Sequence, residues 1–221
     1  MTAIRWLDLN SACGRGEVLI KELVKSQIAR SMDTIRMVLE DDGIHEAIVR
    51  AGELTSQAIR TGKLLVCGNG GSAADSQHLV AEFVSRLTID RPALRAIALT
   101  TDSSILTAIG NDFSYDQVFE RQVEALGVAG DVLLAISTSG NSRNCVKALT
   151  LAREMGLRTI AFTGNHGGAM AEIAEINVII PSNVTMNIQE AHLMLEHIFC
   201  MVVERYYFGP DFDAKPKHLA E

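Results

Sequence analysis

No two of the four cysteines, Cys13, Cys67, Cys145 and Cys200, stand at C-x-x-C spacing. That argues against a cysteine-built zinc site or a dithiol redox motif. A disulfide framework also ill suits a chain this rich in helix-forming patterns. Basic charge is short as well: 20 Lys and Arg face 27 Asp and Glu, a net charge of −7. A nucleic-acid surface needs a basic face, so none is expected. A phosphate site is local, and this balance does not exclude one. No apolar run reaches membrane-spanning length. Met1 to Asn10 lacks the basic-then-apolar order of a secretory leader. The expectation is a reduced, cytoplasmic protein with no nucleic-acid and no membrane partner, in which the Asn183-Val184-Thr185 sequon is incidental. Internal repeats and low-complexity segments are missing too. What is present is 48% hydrophobic residues over 221 positions, enough for one packed domain.

The chain changes character at Gly62. Before it, apolar residues recur at helical spacing, first from Glu17 to Leu39 and then, more regularly, from Ile44 to Ile59. After it, short apolar runs at Leu64–Val66, Ala96–Leu99, Val132–Ile136, Thr159–Phe162 and Val178–Ile180 alternate with helical or turn-rich segments. Such alternation predicts an α/β fold with a parallel sheet and helices on both faces. A last helix is expected from about Met186 to Tyr207. Residues 1–16, with two glycines and no clear period, read as an N-terminal extension. Residues 17–208 read as a single domain including the N-terminal helices, and 209–221 as a polar tail.

Ligands of open parallel sheets bind outside the carboxyl ends of the strands. Three predicted strand ends carry small polar loops, at 68–72, 137–142 and 163–168. The first is Gly68-Asn69-Gly70-Gly71-Ser72, between a strand and a helix. This arrangement aims backbone N–H groups at an anion, and Ser72 is a natural N-cap. The second, Ser137-Thr138-Ser139-Gly140-Asn141-Ser142, carries hydroxyls at four of six positions. It is the better cup for the three oxygens of a phosphoryl group. Each loop taken alone could be a plain capping turn, with Asn141 or Ser142 as the cap of the second. Two in one sheet favour a phosphorylated ligand.

One turn into the helix after the first loop stand His78 and Glu82, an i, i+4 pair on one face. Leu79, Val80 and Phe83 around them imply burial, which suits a metal or acid–base pair better than a surface ion pair. The closing helix repeats the spacing at His192 and Glu196 and adds His197. Spacing alone does not choose between the two histidines. Nothing in its chemistry marks Gln189, and Asn111-Asp112 looks like a turn after a helix.

Taken together, CGNGGSAADSQHLVAE, ALTTDSSILTAIGNDF, GDVLLAISTSGNSRNCVKAL, TGNHGGAMA and IQEAHLMLEH resemble the SIS (sugar isomerase) domain family. Within it they are similar to the phosphoheptose isomerases, over roughly Glu17 to Phe208. The resemblance implies a five-stranded parallel sheet flanked by helices, and a homotetramer with active sites at subunit interfaces. It implies aldose–ketose isomerisation of sedoheptulose 7-phosphate to D-glycero-D-manno-heptose 7-phosphate, a precursor of lipopolysaccharide core or other surface glycans. It implies one zinc ion per subunit on His78, Glu82, Gln189 and His197, which selects His197 over His192. Substrate contacts would fall on Asn69, Gly70, Gly71, Ser72, Glu82, Asn111, Asp112, Ser137, Thr138, Ser139, Ser142 and Gln189. Glu82 and His197 would be the catalytic base and acid. Some SIS proteins, such as those associated with the bacterial replication initiator, only bind partners, and their base and acid positions are replaced. Glu82 and His197 are both intact here. An isomerase of another sugar phosphate is the remaining alternative.

Overall fold

The computed structural model describes residues 9–209, with side chains from residue 19 onward. Two helices come first, α1 (Leu9–Leu39) and α2 (Asp42–Ala58). Asp41 caps α2 by accepting the Ile44 N–H at 3.1 Å. Then β1 (Leu64–Gly68), α3 (Gly71–Val84), β2 (Ala96–Ala98) and α4 (Ser103–Asp112) follow. A 3-10 turn, Tyr115–Gln117, leads to α5 (Glu120–Leu126), β3 (Val132–Ser137) and α6 (Arg143–Glu154). The chain ends with β4 (Arg158–Gly164), α7 (Gly168–Ile173), β5 (Ile176–Ile180) and α8 (Thr185–Phe208).

All five strands pair in parallel, in the order β2-β1-β3-β4-β5. The chain steps outward from β1 to β2, then returns to the other side of β1 for β3. The switch in direction therefore lies between β1 and β3, where an open sheet of this type offers a crevice. The first polar loop leaves β1 and the second leaves β3, so both border that crevice.

Alternate strand residues point to opposite faces. Leu64, Val66, Val132, Leu134, Ile136, Ile160 and Phe162 pack with residues of α2, α3 and α8. Leu65, Cys67, Leu133, Ala135 and Ala161 pack on the other side with α5, α6 and α7. Both faces are covered, which is why the strands read as continuous apolar runs. Gly52 lets α2 approach α8 closely, because a Cβ there would collide with the Val202 side chain.

The first helix differs from the expectation. It begins at Leu9 and runs through Gly14 and Gly16, so part of the stretch read as an extension is helical. Glycine weakens a helix by about 1 kcal/mol per residue, and a 31-residue helix absorbs that cost. On this helix Leu19, Ile20, Leu23, Val24, Ile28 and Met32 are exposed. Residues 1–8 and most of the expected tail, 210–221, lie outside the described residues.

Candidate active site

The first loop is built around Gly70. Its φ of +58° belongs to backbone that residues with a Cβ rarely adopt, and it is the N-cap of α3. The helix thus starts earlier than the sequence suggests. Ser72, expected as the cap, is buried inside the first turn, and its carbonyl accepts the Ser76 hydroxyl at 2.7 Å. Closing the turn at Gly70 makes a side-chain cap at Ser72 unnecessary.

The helix carries His78 and Glu82 towards α8. Phe83 of α3 stacks on Phe199 of α8 with ring centroids 5.9 Å apart, and Leu79 and Leu195 are buried in the same core. This packing brings His197 to the pair. His78 Nε2 lies 2.8 Å from His197 Nε2 and 3.7 Å from Glu82 Oε1, and the two imidazole rings stand perpendicular. One ring must donate the proton that the other accepts. The donor atoms of His78, Glu82 and His197 all lie within 4.8 Å of one another. Two imidazoles and a carboxylate at that separation form a donor set that a small divalent ion such as zinc accepts.

His192 has a different environment. It is fully buried, its Nε2 meets the Thr163 carbonyl at 3.0 Å, and burial pushes its pKa down to about 4. Glu196, one turn on, is also buried, and burial together with the nearby Asp75 charge pushes its pKa up to about 8. Neither Glu196 oxygen has a hydrogen-bond partner among the described residues. The second H-x-x-x-E pair is an uncharged core feature at neutral pH.

The second loop folds into a hydroxyl cluster. Ser137 Oγ lies 2.9 Å from Ser142 Oγ and 3.4 Å from Ser139 Oγ. Ser142 does occupy the N-cap position of α6, but its hydroxyl makes no capping bond and is turned into the cluster instead. Thr138 anchors the third loop, its carbonyl accepting Gly164 N–H at 3.1 Å. Asn141 donates to the Ser139 carbonyl at 2.9 Å and accepts Ala169 N–H at 3.0 Å. The third loop therefore braces the second. Gly140, at φ +66°, permits it, because a Cβ there would run into the Gly167 carbonyl.

The remaining expected contacts stand on α4 and α8. Asn111 and Asp112 are exposed as the last residues of α4 rather than in a turn after it. The Asn111 amide donates to Asp112 Oδ1 at 2.8 Å, the one side-chain bond given to either among the described residues. Gln189 on α8 packs its amide against Gly71, where a Cβ would clash with it. Gln189 stands two helical turns before His197, about 12 Å along the axis at 1.5 Å per residue.

Three supporting residues have roles that the sequence pattern does not announce. Arg91 is buried, donates to Glu204 Oε1 at 2.6 Å, and reaches the Phe83 and Glu82 carbonyls at 2.8 and 2.6 Å. It thereby closes the end of α3 just where Glu82 sits. Asn144 and Tyr115 both hydrogen-bond Asn69. A lone arginine, asparagine or tyrosine carries no periodic signal, so only the folded geometry reveals them.

Residues 27–164 match the SIS domain family. A phosphoheptose isomerase of Clostridium acetobutylicum is 49% identical over 88% of this chain and 100% of its own. One from a Geobacter strain is 53% identical over 85% of this chain and 97% of its own. The solved phosphoheptose isomerase of Neisseria gonorrhoeae superposes with a TM-score of 0.79 at 43% identity, covering 84% of this chain and 98% of that one. The chain belongs to the SIS domain family and, within it, to the phosphoheptose isomerases.

Proposed function

We propose that this isomerase interconverts sedoheptulose 7-phosphate and D-glycero-D-manno-heptose 7-phosphate, supplying heptose for a bacterial surface glycan such as lipopolysaccharide core. The observation that carries the reading is the convergence of His78, Glu82 and His197 from two helices, in a chain whose second strand-end loop folds into a serine cup.

The cup of Ser137, Thr138, Ser139 and Ser142 holds the phosphate as a remote handle, with α6 pointing its N-terminus at the anion. The loop Asn69–Ser72 faces the sugar. Asn111, Asp112 and Gln189 complete the contacts in this proposal. Binding energy gathered at the phosphate then holds C1 and C2 against the proton carriers. Glu82 takes the proton from C1 while His197 donates one to the C2 carbonyl oxygen, giving an enediol. Glu82 then returns its proton to C2, and His197 recovers one from the C1 hydroxyl as the aldehyde forms. Hydrogen has moved from C1 to C2 and from O1 to O2, and both side chains end as they began.

Zinc held by His78, Glu82 and His197 would polarise the carbonyl as a Lewis acid, and Gln189, whose amide packs against Gly71, would join as the expected fourth ligand only by turning its side chain towards His197. A carboxylate bound to metal carries protons poorly, so Glu82 would act as the base only while unbound. The exposed apolar residues of α1, and an α4 with no buried residue, support a homotetramer with active sites between subunits. No described helix is long and apolar enough to cross a membrane, which accords with a cytoplasmic enzyme.

The test is direct. Purified protein is incubated with sedoheptulose 7-phosphate, with and without a chelator, and the heptose 7-phosphate is sought. Conversion that chelation abolishes and zinc restores supports the reading. No conversion with metal restored would replace it with a binding module.

A further inference from the structure

The side chain of Asn69 has no hydrogen-bonding capacity left for a substrate. Its Oδ1 accepts Asn144 Nδ2 at 2.8 Å and the Tyr115 hydroxyl at 3.1 Å. Its Nδ2 donates to Asn144 Oδ1 at 2.9 Å and faces Cys145 Sγ at 3.8 Å. An amide offers two acceptor sites and two donors, and all four are taken.

The orientation of this pair follows from chemistry. Cys145 N–H donates to Asn144 Oδ1 at 3.0 Å, and a backbone N–H must face an oxygen. With Asn144 fixed, its Nδ2 must face the Asn69 oxygen, and the Tyr115 hydroxyl must then be a donor. Cys145 lies in the first turn of α6, where backbone N–H groups lack partners within the helix. Asn144 therefore satisfies one of the donors that the N-cap Ser142 leaves unserved, and Ser142 Oγ is at liberty to join Ser137.

We propose that Asn144 and Tyr115 are positioning residues of the isomerase site. They fix Asn69 so that the first loop turns its backbone at Gly70 and Gly71 to the sugar, and Asn144 releases the Ser142 hydroxyl to the phosphate cup. One buried amide thus ties the two loops together across the crevice. Tyr115 is exposed and closes the pair from the solvent side. This rests on the assignment of the first loop to the sugar and the second to the phosphate.

The experiment compares wild type, Tyr115→Phe and Asn144→Asp. Tyr115→Phe removes one donor to Asn69 at an exposed position, so folding is not at risk. Asn144→Asp keeps the acceptor for Cys145 N–H but places an oxygen against Asn69 Oδ1. For sedoheptulose 7-phosphate, kcat/KM should fall about tenfold in the first and about a hundredfold in the second, the scale of a misplaced reactant. The inhibition constant for inorganic phosphate should stay within about twofold of wild type in both. Unchanged kcat/KM in both variants would overturn the proposal. So would phosphate affinity falling in step with kcat/KM, which signals general damage. If wild type leaves the heptulose phosphate unconverted, the substrate assignment fails instead. Amide exchange at Gly70 and Gly71 then decides: faster exchange in Tyr115→Phe supports the positioning role, and equal protection overturns it.

Discussion

His78–Glu82 on α3 and His192–Glu196 on α8 have the same spacing and opposite fates. The first pair is partly open to solvent, with the Glu82 side chain 17% exposed, and meets a third donor, His197, from another helix. The second lies wholly in the core, its histidine bonded to a strand carbonyl and its carboxyl group without a hydrogen-bond partner among the described residues. Spacing along a helix fixes only which residues share a face. The neighbouring elements decide whether that face meets a ligand or a core. His197 escapes the fate of His192 because five residues turn it about 140° around the helix, from the sheet towards α3.

This contrast can be pushed until it breaks. The largest effect is expected at His197: His197→Gln should lower kcat by on the order of 10²–10⁴-fold, the worth of a general acid, in a steady-state assay. An effect under about threefold would place the acid elsewhere. Next is the cup. Ser139→Ala should raise KM by about ten- to hundredfold, the scale of a hydrogen bond to a charged group, with kcat nearly kept. An unchanged KM would count against phosphate at the second loop.

The smallest effect is on stability, at Glu196. Its folded pKa of about 8 stands above the ordinary 4.5, so the folded state holds this proton more tightly than the unfolded chain. The associated stability is full below about pH 4.5 and is lost as pH rises through about 8. Glu196→Gln removes that loss. Thermal melts should show the variant more stable than wild type at pH 9, by on the order of a few kcal/mol, and the advantage should vanish near pH 4. An advantage independent of pH would mean that the buried carboxyl is not the cause.

The fold was largely legible in the sequence because both sheet faces are buried. Runs such as Val132–Ile136 announce strands whatever their neighbours do, and β3 extends that run by one residue, to Ser137. Gly68–Ser72 and Ser137–Ser142 were legible as strand-end loops, but their detail was not. Ser72 lost the cap to a glycine with positive φ, and Ser142 holds the cap position without capping. Both outcomes depend on partners elsewhere, Gly70 in one case and Ser137 with Asn144 in the other. The start of α1 was missed because Gly14 and Gly16 interrupt the pattern there. Arg91 was missed because its role needs Glu204, 113 residues away, and the carbonyls at the end of α3.

The central claim is that the pair on α3, and not its twin in the core, carries the chemistry. The kcat for sedoheptulose 7-phosphate, measured side by side in Glu82→Gln and Glu196→Gln, tests it most directly. Loss of on the order of a thousandfold or more in the first, with the second within about threefold of wild type, is the expected result. Near-normal turnover in Glu82→Gln, or an equal loss in both, would contradict it.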